Sequence, residues 1–171
     1  MACPAVFCLS MKRIPPKAAP AKTERPYIPQ PLYDQILSNL PIACVDVAIV
    51  AQGAVLLVRR KVPPAMGQWW VPGGRVLKDE MMKDAARRKA LEEVGIDCHV
   101  GPIIHTAETI FPDGPSGIAI HSINSCFFLY PVEANAVPVL DGFHLEYRWV
   151  QAIPEGLHPY VIKCLMAAGL E

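Results

Sequence analysis

The sequence lacks any excess of charge, since 16 Lys and Arg offset 16 Asp and Glu for a formal net charge of zero. Without a general field there is no long-range pull on nucleic acid or on an anionic membrane, so any phosphate binding has to be local. A long apolar run is also missing, and no stretch approaches the roughly 20 residues that span a bilayer. The first ten residues are apolar, but Lys12 and Arg13 follow them, which is the reverse of a secretory signal. Met11 is a second candidate start, which the intact mass of the native protein distinguishes. No C-x-x-C pair occurs among the six cysteines, Cys3, Cys8, Cys44, Cys98, Cys126 and Cys164. Four of them sit in apolar or strand-like runs, where free thiols pack as small hydrophobes, and this points to a reducing cytoplasm.

What is abundant is apolar residues, 52% of a 171-residue chain, which is enough for one domain with a good core. Residues 1 to about 30 are different. Their many prolines mix with Lys, Ala and Thr, a composition that cannot offset its ordering entropy, so an extended or disordered arm is expected there. The folded domain is expected over 31–171. Pro31 to Leu40 carries apolar residues on one helical side, and Pro41 stops it. Ile42–Val50 and Ala54–Arg60, separated by Ala-Gln-Gly, predict a hairpin. Trp69 to Val71 predicts a short strand and residues 80–94 a helix, with Gly95 where a C-terminal cap belongs. Strands are expected near 97–110, 118–132 and 145–151, and a last helix over 160–168. The chain is α+β with a mixed sheet.

The predicted helix carries the chemistry. Gly74, Glu80, Arg88, Glu92, Glu93 and Gly95 match the pattern G-x5-E-x7-R-E-U-x-E-E-x-G-U, where U is apolar. Six specified positions coincide by chance about once in 10⁷ sites at average residue usage. In a helix, Arg88–Glu92 and Lys89–Glu93 are also the i to i+4 ion pairs that any solvated amphipathic face can show. Ala86, Ala90 and Val94 form an apolar stripe whose small side chains allow close docking on a sheet. Glu92 and Glu93, with a backbone carbonyl from Pro72-Gly73-Gly74, are hard oxygen donors suited to Mg²⁺ or Mn²⁺.

These residues resemble the Nudix box, and the order from Ile42 to about Trp149 resembles a whole Nudix domain. The resemblance implies an α/β/α sandwich that hydrolyses a nucleoside diphosphate linked to another group. It assigns the Gly73 carbonyl, Glu92 and Glu93 to the metal and makes Arg88 a brace of the box. Glu80 becomes structural or a second group near the metal. One diagnostic position departs from the box, because Lys89 stands where the family has a carboxylate. Swapping −1 for +1 beside Glu92 and Glu93 disfavours a second or third divalent ion.

Trp70-Val-Pro-Gly-Gly-Arg-Val-Leu-Lys-Asp-Glu80 and His144-Leu-Glu-Tyr-Arg-Trp149 are similar to GDP-mannose mannosyl hydrolases. In that subfamily water attacks the anomeric carbon, a histidine is the general base and one Mg²⁺ stabilises the departing diphosphate. The resemblance gives His144 the base's role, Asp46 a contact to the sugar nucleotide and Arg60 a hold on the diphosphate. Arg75, directly after Pro-Gly-Gly, is within reach of a phosphate. The match is incomplete, since Phe143 replaces a polar ligand and Glu92 is retained where the subfamily tends to lose it. Asp46 also stands out by itself, because a carboxylate between Val45 and Val47 is costly to bury without a partner or ligand. His121 is expected to be a core or edge strand residue, and Trp69 and Trp70 core. Residues 111–117 form either a cover over the site or a plain surface turn.

Three functions stay open at this point. One is a hydrolase of a nucleotide sugar with His144 as base. Another is a pyrophosphohydrolase in which Glu92, Glu93 or Glu146 handles the water. The last is a weakly catalytic module that senses a nucleotide. The expected partner is a small nucleotide sugar, with neither nucleic acid nor membrane, and dimerisation is expected only by analogy with the relatives.

Overall fold

The computed structural model describes residues 28–171. The expected N-terminal arm and the alternative start at Met11 lie outside them, apart from the arm's last three residues. The elements run α1 (Gln30–Asn39), β1 (Ile42–Ala51), β2 (Ala54–Arg60), β3 (Trp69–Trp70), β4 (Gly73–Arg75) and α2 (Met82–Val94), followed by β5 (Cys98–Phe111), β6 (Ile120–Pro131), β7 (His144–Val150) and α3 (Pro159–Ala167). A 3-10 turn covers Pro115–Gly117. Among the described residues no helix is long and apolar enough to cross a membrane.

The strands form one mixed sheet in the order β3-β2-β1-β6-β5, with β4 added to β1 and β7 to β2. β1 runs parallel to β6 from Ile42↔Ser122 to Ile49↔Leu129. Its other edge is shared. Cys44–Asp46 pair with β4, whereas Val50–Ala51 pair with β2. The sheet forks there, and several of the site residues expected from sequence collect at the fork.

Alternation along β1 assigns its side chains to two faces. Val45, Val47 and Ile49 join Ala85, Ala86, Ala90 and Val94 of α2 in one core. Ala48 joins Tyr160, Val161, Cys164 and Leu165 of α3 in the other. Helices thus cover both faces of the sheet, which is the expected α/β/α sandwich. The alanines of α2 are fully buried, so the helix lies close against the sheet and the height of Glu93 is set by backbone approach rather than by long side chains. Gly95 closes α2 in the left-handed conformation at φ 67°, its N–H donating to the Leu91 carbonyl at 3.1 Å.

Two expectations need correction. The helix predicted from Glu80 starts at Met82, because the Glu80 carboxylate is engaged in the preceding turn, accepting from the Leu77 N–H at 2.9 Å. The segment after Pro72 is more than a turn, since residues 73–75 form strand β4 against β1. The four described cysteines are free thiols, as expected.

Candidate active site

A cavity of about 300 Å³ opens beside the fork, and its wall includes Asp46, Arg60, Gly73, Arg75, Lys89, Glu93 and His144. Of the eight site residues expected from sequence alone, the cavity gathers Asp46, Arg60, Gly73, Arg75, Glu93 and His144, while Arg88 and Glu92 pair with each other outside its wall.

Two glycines let these groups meet. A Cβ on Gly73 would lie 2.2 Å from the Asp46 Oδ1, and one on Gly74 would lie 2.8 Å from the Lys89 Cε. Only bare backbone at β4 allows a carboxylate of β1 on one side and the side chains of α2 on the other. The Gly73 N–H donates to Glu93 Oε2 at 2.9 Å, tying the loop to the box helix.

The carboxylates of Glu92 and Glu93 converge on one cation. That cation is the ammonium of Lys89, which contacts Glu93 Oε1 and lies 3.7 Å from Glu92 Oε2. Arg88 braces the arrangement from behind. Its guanidinium donates to both oxygens of Glu80 at 2.6 and 2.7 Å, to Glu92 Oε2 at 3.1 Å and to the Arg75 carbonyl at 3.1 Å.

His144 opens β7, and it is buried. Its Nδ1 is 2.8 Å from Asp141 Oδ1, and its Nε2 is 3.8 Å from Glu93 Oε2. An ionised Asp141 accepts from Nδ1–H, which leaves Nε2 as the lone-pair nitrogen facing the cavity. The end of α2 sets this geometry. Carbonyls in a helix's last turn have no partner within the helix; here Glu93 and Val94 accept from the N–H groups of Asp141 at 3.1 Å and Val139 at 2.8 Å. The helix that carries Glu93 thus anchors the segment that carries His144.

Asp46 is buried and accepts a hydrogen bond from the Tyr160 hydroxyl at 2.6 Å. Burial pushes its carboxyl up to about 7; the Tyr160 bond opposes the rise and the charge of Glu93 adds to it. A folded-state value above the ordinary 3.8 means that the folded chain keeps a proton the unfolded chain has lost. Stability from this group is therefore present at the acidic end and falls as pH rises from about 4 to about 7. We expect Asp46→Asn to remove that fall, so that the variant gains on the wild type across the window. Melting temperatures from pH 4.5 to 8 in EDTA test this, and a constant difference between the two proteins would refute it.

Arg60 lines the cavity with its Nε donating to the Pro64 carbonyl at 2.6 Å; burial lowers its pKa, while Glu93 and Asp46 hold it up. The guanidinium of Arg75 lies 4.4 Å above the Tyr33 ring, so α1 supplies an aromatic platform at the cavity's rim. Phe143 is exposed at the same rim. Glu146 does not line the cavity; it pairs with Arg59 at 3.0 Å and both side chains are exposed. Pro115 of the 3-10 turn reaches the cavity wall, so the 111–117 segment borders the site. Trp70 packs in the core as expected and also lines the cavity, stacked on Tyr160 at 5.7 Å.

Sequence reasoning missed Asp141, Tyr160 and a neutral ladder on β5 and β6. In that ladder Thr109 Oγ1 lies 2.8 Å from Ser122 Oγ, and Asn124 Nδ2 donates to Thr109 Oγ1 at 2.9 Å. All three are buried and all three face the cavity. A usable signal existed only for Asp141, three residues before His144 in the same short segment.

Comparison with known proteins identifies the family and the fold. The model described as NUDIX domain matches residues 41–153. The low-salt glycan biosynthesis protein Agl8 of Haloferax volcanii is 35% identical over 142 residues, 82% of this chain and 90% of that protein. The MutT protein of Methanosarcina mazei superposes with a TM-score of 0.60 at 30% identity, over 72% of this chain and 88% of that one. A MutT NUDIX hydrolase from Burkholderia pseudomallei shares the fold with a TM-score of 0.65 at 23% identity, covering 75% and 98%.

Proposed function

The chain belongs to the Nudix hydrolase family, and from that membership we propose that it hydrolyses a nucleoside diphosphate sugar with His144 as general base. The observation that carries this reading is the pairing of His144 Nδ1 with Asp141 at 2.8 Å while Nε2 faces Glu93 in the cavity. The glycan-related name of the Haloferax relative supports a sugar nucleotide as the substrate class, and the resemblance to GDP-mannose mannosyl hydrolases narrows it to GDP-mannose or a close analogue.

Nudix hydrolases generally use divalent metals, and the residues here fit one such ion. Glu92 and Glu93 already converge on a single cation, the Lys89 ammonium, and offer it hard oxygen donors. Among the described residues no three carboxylate, histidine or thiol groups form a ready-made cluster. Two carboxylates and the Gly73 carbonyl would hold one Mg²⁺ or Mn²⁺, with water and substrate phosphate completing its shell. Such an ion neutralises charge on a departing diphosphate.

The chain's own residues do the rest. His144 Nε2 takes a proton from water as the water oxygen bonds to the anomeric carbon, and the bond from that carbon to the diphosphate oxygen breaks with its electron pair. Arg60 and Arg75 hold the diphosphate by charge. Asp46 and the Thr109-Ser122-Asn124 ladder offer acceptors and donors that suit sugar hydroxyls. Free thiols at the four described cysteines support a reducing, cytoplasmic setting.

Turnover of GDP-mannose in ¹⁸O-water tests the bond. Label is expected in the free sugar. Label in a phosphate product instead assigns attack at phosphorus, the pyrophosphohydrolase chemistry that the Glu93–His144 pair could also serve.

A further inference from the structure

We propose that Lys89 is a tethered cation that occupies the divalent-ion position of the free enzyme and leaves it for the substrate's diphosphate. The inference rests on reading Glu92 and Glu93 as the metal's ligands. Helix geometry starts the argument, because Lys89 sits three residues before Glu92 and four before Glu93, on the same side of α2. A lysine stem is long enough to carry its ammonium out to water. This one does not, for its side chain is only 16% exposed and lies across Gly74, where an added Cβ would come within 2.8 Å of its Cε. The stem is seated in a backbone groove and the ammonium is delivered to the two carboxylates.

A divalent ion approaching Glu93 Oε1 therefore meets a positive charge already in contact with that oxygen. Metal and ammonium compete for one position. The stem that seats the ammonium also lets it move, since lysine is a point charge on four rotatable carbons rather than a fixed fork. Lys89 lines the same cavity as Arg60 and Arg75, so a diphosphate held by those arginines lies within its sweep. Transfer of the ammonium from Glu93 to a phosphate oxygen frees the carboxylate at the moment the anion arrives. Metal and diphosphate then bind with positive coupling, each raising the other's affinity by the same factor.

The test counts free Mn²⁺ by electron paramagnetic resonance during titration of the metal-free full-length protein. Lys89→Met is expected to bind Mn²⁺ at least about tenfold tighter than wild type, because the competitor is gone. Lys89→Gln serves as a second variant if the first unfolds. Equal Mn²⁺ affinity in wild type and a folded Lys89 variant overturns the proposal. Glu93→Gln separates this from failure of the ligand assignment, since unchanged Mn²⁺ affinity there removes Glu93 from the metal site itself. A calorimetric titration with inorganic diphosphate in EDTA reads the other half of the exchange. Lys89→Met is expected to bind the anion about tenfold more weakly. A wild type that takes up no diphosphate, or a variant that matches it, overturns the transfer.

Discussion

Replacing His144 with alanine is expected to lower kcat by about three orders of magnitude, within the range that a positioned general base contributes. The residue is 9% exposed, so a base at this position would meet few competing water molecules. Its orientation is fixed twice. Asp141 holds Nδ1 at 2.8 Å, and the Phe143 N–H donates to the same Asp141 oxygen at 2.9 Å, which keeps that carboxylate aimed. Asp141→Asn is expected to act through His144, because an amide can present its NH₂ to Nδ1 and so place the ring proton on Nε2, where the lone pair is needed. That variant should lose kcat with little change in KM, since no substrate contact is removed. Steady-state kinetics on GDP-mannose, with circular dichroism to verify folding, checks both substitutions. A folded His144→Ala enzyme with near-wild-type turnover would remove the residue from the base's role.

The box spacing made the helix, its cap and its apolar stripe legible in the sequence, because all three are local. Gly95 stops the helix through its own φ, and Ala86, Ala90 and Val94 share a face by helical period alone. The outline of the sheet was also readable from alternation and turn residues. What closes the site was not. Asp46 and Tyr160 are 114 residues apart, and their bond depends on which face of β1 meets α3. The Thr109-Ser122-Asn124 ladder exists through the β5–β6 register, which pairs Thr109 with Ser122. The sequence patterns of those two strands do not specify that register to the residue. Lys89 lies between these cases. Its change of charge was visible as a departure from the box, but the position of its ammonium depends on a groove that only the bare backbone of Gly74 provides.

Arg88→Met is expected to be the most destabilising single change in the box, costing about 2–3 kcal/mol. Removing one partner of a fully buried ion pair costs about 3–5 kcal/mol, and the side chains of Arg88 and Glu80 are 19% and 14% exposed, so the lower figure applies. The loss would lower the melting temperature by about 5–10 °C in a domain of this size. Three anchors disappear together, namely the fork onto Glu80, the bond to Glu92 and the bond to the Arg75 carbonyl. Arg88→Lys should recover only part of the stability, because an ammonium cannot span both Glu80 oxygens. Thermal unfolding of Arg88→Met, Glu80→Gln and the double variant distinguishes a brace from an incidental pair. If Glu80 is costly only because it needs Arg88, the double variant is more stable than the two single losses predict when added. Strict additivity would mean that the two side chains act separately. The activity of the double variant carries a further consequence. Restoring stability by neutralising Glu80 does not restore the bond from Arg88 to Glu92, so kcat should stay depressed even where the melting temperature recovers.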